Sequence, residues 1–153
     1  MRRSTAKLQL DDYLPYLINR VGAGLAARFT ATTLKRHQLS IMMWRVLVVL
    51  SNNGGRRLVD LSQMTSIDLS TLSRMVARLV RLGLVSRKRS TTSDREVLVT
   101  LTSKGDKLLA RIVPIGLEYE KQVVRGIPRS DLATAQRVLK HLYANLPKLD
   151  QRA

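Results

Sequence analysis

The chain has 153 residues, with 27 Lys and Arg against 11 Asp and Glu, for a formal charge of +16. That length is one ordinary domain or two very small ones, and the charge makes nucleic acid the leading partner class and an anionic membrane the second. A hydrophobic content of 44% excludes a disordered basic tail, and the absence of cysteine excludes thiolate catalysis, thiol redox sensing, disulfides and cysteine-based zinc sites.

In chain order, Leu14, Leu17, Ile18, Val21, Leu25 and Phe29 recur at steps of three and four. They predict an amphipathic helix from about Asp12 to Lys35, capped by Asp11 or Asp12, with Pro15 in its first turn. A second helix is predicted after Ser40, with Met43, Trp44, Val46, Leu47 and Leu50 inward and Asn52-Asn53-Gly54-Gly55 as its stop. Leu58 to Met64 predicts a short helix, and Thr65-Ser66-Ile67 its connection. Asp68 then caps a longer helix with Leu69, Leu72, Val76, Leu79 and Val80 on one face, ended by Gly83. Short helix, tight connection and longer helix make a helix-turn-helix pattern.

Beyond Gly83 the period shortens to two. Val85–Arg89 and Glu96–Leu101 predict two strands around a polar tip, Ser90 to Asp94, which together form a wing. Thr102 is placed to cap a helix running to about Arg125, kinked at Pro114, and Gly126-Ile127-Pro128 breaks the chain. A last helix follows Ser130, with Leu132, Ala135, Val138, Leu139, Leu142 and Leu146 apolar. The terminal helices carry more apolar surface than one small winged domain can cover, which points to a second core completed by another copy of the chain.

Charge is spread evenly along the chain, except that Leu69 to Ser93 holds six basic residues and no acidic one. A recognition helix exposes short polar and forked cationic side chains from its first turns, where they reach base edges in the major groove. Ser70, Thr71, Ser73, Arg74 and Arg78 lie off the apolar stripe, and Thr71, Arg74 and Arg78 share one face. Arg87, Lys88, Arg89 and Arg95 gather on the hairpin, where Arg95 suits a narrow minor groove. The plain alternatives are a solvated helix face and an edge strand charged against aggregation.

The order and spacing of these pieces resemble the MarR family of winged-helix transcriptional regulators, from about Leu10 to Leu146. The matching segments are Trp44-Arg45-Val46-Leu47, Asp60-Leu61, Leu69 to Val76, Leu79 to Val85, Asp94 to Thr102 and Lys104-Gly105. One departure is Ser93, which stands where the family usually has an Asp two residues before the wing arginine, here Arg95. The resemblance implies a mainly α fold with a two-stranded β-wing: a winged helix-turn-helix at 38–102, flanked by dimerisation helices at 1–37 and 103–153. It also implies a homodimer on palindromic double-stranded DNA, most simply a repressor released by a small aromatic or phenolic anion. Trp44 would wall such an effector pocket, with positive charge from Arg20, His37 and Arg45. Each of these is equally a core or surface group.

Three other classes compete. A nucleoid-type structural DNA binder without sequence choice fits the even charge. An RNA binder is disfavoured by only six aromatics, with none clustered on a strand to stack bases. An enzyme lacks a Gly-rich phosphate loop, a metal triad or a nucleophile–base pair, and His37 and His141 are far apart, so neither cofactor nor metal is expected. No apolar run spans a bilayer and no apolar stretch follows the basic start, so a soluble cytoplasmic protein without a membrane partner is expected.

Overall fold

The structure, a computed structural model, describes residues 7–89 and 97–149. Helices α1 (Leu14–Phe29), α2 (Ile41–Asn53), α3 (Leu58–Thr65) and α4 (Leu69–Arg81) precede strands β1 (Val85–Arg89) and β2 (Val97–Leu101). Helices α5 (Ser103–Val123) and α6 (Arg129–Leu149) follow. The chain divides into two compact units, Met1–Ile115 and Gly116–Ala153. No helix of the described residues is long and apolar enough to cross a membrane.

The first unit holds the core. Met43, Val46, Leu47 and Leu50 of α2 are buried together with Leu61 of α3, Leu72, Val76 and Leu79 of α4, and Leu108, Leu109 and Ile112 of α5. Phe29, Leu34, Leu39, Leu84, Val85 and Val99 complete it. Ser40 caps α2, its hydroxyl accepting the Met43 N–H at 3.2 Å, and Gly54 ends it at φ 71°.

Several sequence expectations are corrected. Asp11 and Asp12 do not cap α1; they form a preceding 3-10 turn, Leu10–Asp12, and Tyr13 is the N-cap. The expected single helix to Lys35 leaves α geometry at Phe29, widens to a π turn over Thr30–Leu34, then tightens to 3-10 over Lys35–His37. Gln38 stops it in the left-handed region at φ 58°. On α4, Leu69 and Val80 are 48% and 39% exposed, because the spacing of Leu72, Val76 and Leu79 alone keeps phase with the core. Pro128 carries the first carbonyl of α6, so Ser130 lies inside the helix. As expected, Pro114 lies inside helix α5.

The helix-turn-helix connection is tied by side chains. The Ser62 hydroxyl donates to the Ile67 carbonyl at 2.6 Å, and Thr65 donates to Leu61 one turn back. Ser66 occupies the left-handed region at φ 56°, a conformation that turns the chain sharply into α4. Asp68 then caps α4. Its Oδ1 accepts the Thr71 N–H at 2.9 Å and the Ser70 hydroxyl at 2.7 Å. These donors, the Thr71 amide first, hold the Asp68 carboxyl down at about 2.

The far end of α4 closes with Gly83 at φ 72°. The Gly83 N–H donates to Val80 and the Leu84 N–H to Leu79, at 2.8 and 3.0 Å, the paired bonds of a Schellman stop. Three further carbonyls find donors on the segment that starts α5. Lys104 Nζ donates to Leu82 at 2.8 Å, Thr102 Oγ1 to Gly83 at 2.6 Å and the Thr102 N–H to Leu84 at 3.1 Å. Thr102 also caps α5, accepting the Gly105 N–H at 3.1 Å.

Strands β1 and β2 pair antiparallel, with Val85 opposite Leu101 and Arg89 opposite Val97. The sequence pattern does not announce a third partner: Arg56, between α2 and α3, bridges Val99 through both backbone bonds, at 3.0 and 2.8 Å. The wing root is thereby stitched to the entrance of the helix-turn-helix.

A Cβ at Gly105 would press into the Leu84 carbonyl oxygen and sit 2.9 Å from Leu101 Cδ2. Gly105→Ala should therefore cost about 1–3 kcal/mol in urea unfolding, as overpacking does; unchanged stability would contradict this close approach. For Asp68, the depressed carboxyl stabilises the fold above its ordinary value of 3.8, and the contribution is lost as pH falls through about 2. Asp68→Asn keeps an acceptor and cannot titrate there. Its unfolding midpoint should approach that of the wild type between pH 4 and pH 2.

Candidate nucleic-acid interface

Helix α4 presents Ser70, Ser73, Arg74 and Arg78 to solvent, with Thr71 half-buried. The polar side is possible because the apolar stripe occupies the opposite face. These side chains are not equally free. Ser70 is engaged by the cap, and Arg74 Nη2 lies 3.4 Å from Thr71 Oγ1. Arg78 Nη2 turns back 3.4 Å to the Gln38 carbonyl, linking α4 to the connection before α2. Sequence spacing puts Arg78 on the Thr71–Arg74 face, but a bond spanning 40 positions leaves no local signal.

Arg87, Lys88 and Arg89 are exposed on β1. Alternation along a strand sends Arg87 and Arg89 to one face and Lys88 to the other. The hydroxyls of Ser86 and Thr100, 2.9 Å apart, pair across the strands. Arg95 and Ser93 lie outside the described residues.

The electrostatics favour a polyanion. From Tyr13 to Val59 the chain carries seven basic residues and no acidic one. In the first turn of α3, Asp60 accepts a bidentate pair from Arg57, with both distances 2.9 Å, and the Arg57 hydrogen bond holds its carboxyl below the usual range. The Asp60 charge is thereby paired, whereas Asp68 at the start of α4 accepts only from neutral donors.

A cleft of about 190 Å³ opens behind α4, lined by His37, Gln38, Leu82, Leu84, Lys104, Leu108 and Arg111. Of the four residues that the family resemblance suggests for an effector, only His37 lines it. Trp44 is half-buried and packs edge-on against Phe29, with ring centroids 5.8 Å apart, and Arg20 and Arg45 are exposed on α1 and α2. Sequence reading misses Lys104 and Arg111. Their only signal is a spacing of seven on α5, which aligns them on one face.

Comparison with known proteins agrees with this architecture. Residues 28–112 match the family of transcriptional regulators SarA/Rot. The chain is 28% identical over 139 residues to the HTH-type transcriptional repressor IacR of Pseudomonas putida, covering 91% of this chain and 83% of that one. The crystal structure of a MarR family transcriptional regulator from Silicibacter pomeroyi superposes with a TM-score of 0.80 at 29% identity, covering 94% and 95% of the two chains. BpsR of Bordetella bronchiseptica, whose DNA binding is regulated by 6-hydroxynicotinic acid, shares the fold at 24% identity, with a TM-score of 0.81 and coverage of 90% and 98%. With a recognition helix, a basic wing and these relatives, the chain belongs to the MarR-type winged-helix transcriptional regulators.

Proposed function

We propose that the protein is a homodimeric, cytoplasmic repressor that reads a palindromic operator in double-stranded DNA and is released by a small anionic effector. The observation that carries this reading is the exposed row of Ser73, Arg74 and neighbouring cations on a helix capped at one end and anchored at the other. Such a helix enters a major groove with its first two turns toward the bases, and Arg74 is then placed for a guanine edge. Arg87, Lys88, Arg89 and Arg95 supply phosphate and minor-groove contacts. No catalysis is needed, because phosphate contacts and base readout provide the free energy.

Uncovered apolar surface supports the dimer. Leu14, Ile18 and Val21 on α1 are exposed, and Val138, Leu139, Tyr143 and Leu146 on α6 likewise. Apolar stripes of this extent seek a second copy, and two-fold symmetry in the protein is mirrored in the operator, with half-sites about 34 Å or one helical turn apart. The effector part of the reading is supported by the regulation of BpsR by 6-hydroxynicotinic acid.

Selection of bound duplexes from a random library should yield a palindrome, and sedimentation at micromolar concentration should give twice the chain mass. A single asymmetric half-site at full affinity, or a monomer that binds it, would contradict the reading. Enrichment of no sequence at all would favour a structural nucleoid-type binder instead.

On the selected operator, Arg74→Ala should cost about 1–3 kcal/mol per half-site and flatten preference at one or two base pairs. Replacing Arg87 and Arg89 by Ala should weaken binding to all sequences and lower the salt slope by about one for each phosphate no longer neutralised. The roles are reversed if the strand substitutions change base preference and Arg74→Ala changes only the salt dependence.

A further inference from the structure

The polar groups in the first turn of α4 are committed to one another. Asp68 Oδ1 takes the Ser70 hydroxyl and the Thr71 N–H, and Thr71 Oγ1 receives Arg74 Nη2 at 3.4 Å. Among them stands Leu69, the first residue of the helix, 48% exposed. The core does not need it. A hydrophobic staple pairs the residue before the N-cap with the fourth residue of the helix, and here those positions are Ile67 and Leu72, both buried. Leu69 is thus a large apolar side chain held out to solvent on the turn that leads a recognition helix into the major groove.

Leu69 opens one edge of the helix. Leu69, Ser73, Ala77 and Val80 follow at steps of four, four and three, which aligns them, and all four are exposed. That edge carries no charge. Arg74, Arg78 and Arg81 run along a second exposed edge, at steps of four and three. The two edges suit different partners. Guanidinium groups meet phosphates and guanine, whereas an uncharged edge of small and apolar side chains complements apolar groups on the bases. The apolar group that the major groove presents is the C5-methyl of thymine.

We propose that Leu69 is a specificity-determining residue that packs on the C5-methyl group of a thymine in each half-site. Deleting that methyl returns apolar surface on both partners to water, and a loss of about fourfold in affinity per half-site is expected for one buried carbon group. Leu69 lies five residues before Arg74, about 7.5 Å along the helix axis. At about 3.4 Å per base pair, the thymine therefore lies within about three base pairs of the pair that Arg74 reads. This inference rests on the DNA-binding reading above and adds the base that the uncharged edge recognises.

The test uses the full chain and the operator selected from the random library. Each thymidine is replaced in turn by deoxyuridine in both half-sites, which removes the methyl and leaves every hydrogen-bonding group in place. At one or more positions the wild type should bind about fourfold more weakly per half-site, or about sixteenfold for the symmetric pair, the half-sites acting independently. Leu69→Ala should show that loss on the unmodified operator and no further loss when deoxyuridine replaces the same thymidine. Its salt dependence should match the wild type, because a methyl contact releases no counterions. Leu69→Met keeps an apolar side chain of similar volume and should keep the response to deoxyuridine. The assignment is overturned if no thymidine within about three base pairs of the Arg74-dependent pair responds, or if Leu69→Ala retains the full deoxyuridine penalty. Equal weakening of all duplexes by Leu69→Ala would make Leu69 a structural residue and overturn it as well. Arg74→Ala on the same duplexes separates this inference from the reading beneath it. If Arg74→Ala flattens base preference while deoxyuridine has no effect, the operator reading stands and the thymine contact falls. If the selection enriches no sequence, both fall.

Discussion

A helix ends with carbonyl groups that have no donor within the helix, and where the carbonyls of α4 find theirs fixes how that helix is held in this domain. Gly83 closes two of them through backbone bonds that only a left-handed residue permits. Thr102 and Lys104 take the carbonyls of Gly83 and Leu82. Thr102 also starts α5, so one residue terminates the recognition helix and begins the next helix. Gly105 follows from the same constraint, since α5 approaches the Leu84 carbonyl too closely for any side chain there. The direction of α4 is thus set by a short stretch of backbone contacts, each satisfied by a specific neighbour.

At its other end α4 depends on electrostatics as well as on geometry. Asp68 accepts two hydrogen bonds and places a negative charge at the positive end of the helix dipole. That charge sits near the surface proposed to meet phosphates, where it opposes binding. The stretch from Tyr13 to Val59, basic and free of acids, offsets it over a longer range. Single charges near the surface are screened beyond about 8–10 Å in physiological salt, so Asp68 acts locally on the helix while the wider basic surface acts on the approaching polyanion.

The elements legible in the sequence are those whose causes are local. Ser40 and Asp68 lie one residue before an apolar stripe, Gly54 and Gly83 just after one, and the shift from period 3.6 to period 2 beyond Gly83 marks β1 to its end at Arg89. What cannot be read arises from partners distant in the chain. The Arg56–Val99 bridge joins residues more than 40 positions apart, and neither has a side-chain pattern that announces it. The Arg78–Gln38 bond is of the same kind. The π turn over Thr30–Leu34 is hidden for a different reason: its residues, Thr-Ala-Thr-Thr-Leu, include no glycine or proline to mark a break, and an inserted backbone register leaves composition unchanged.

That π turn bears on how the cleft is built. A π turn carries one more residue per hydrogen-bonded loop than an α turn, which shifts the phase of everything after it. Here it buries Thr33 and Leu34 together and sets the 3-10 turn that presents His37. Gln38 follows in the left-handed region, which reverses the chain into Leu39 and Ser40, and its carbonyl is the one that receives Arg78. The wall of the cleft and the anchor of α4 are therefore consecutive residues on one tightly wound segment. A change that re-formed regular α geometry across 30–34 would move both at once. The side chain that lines the cleft and the carbonyl that holds the recognition helix are coupled by backbone, without any need for a longer chain of contacts between them.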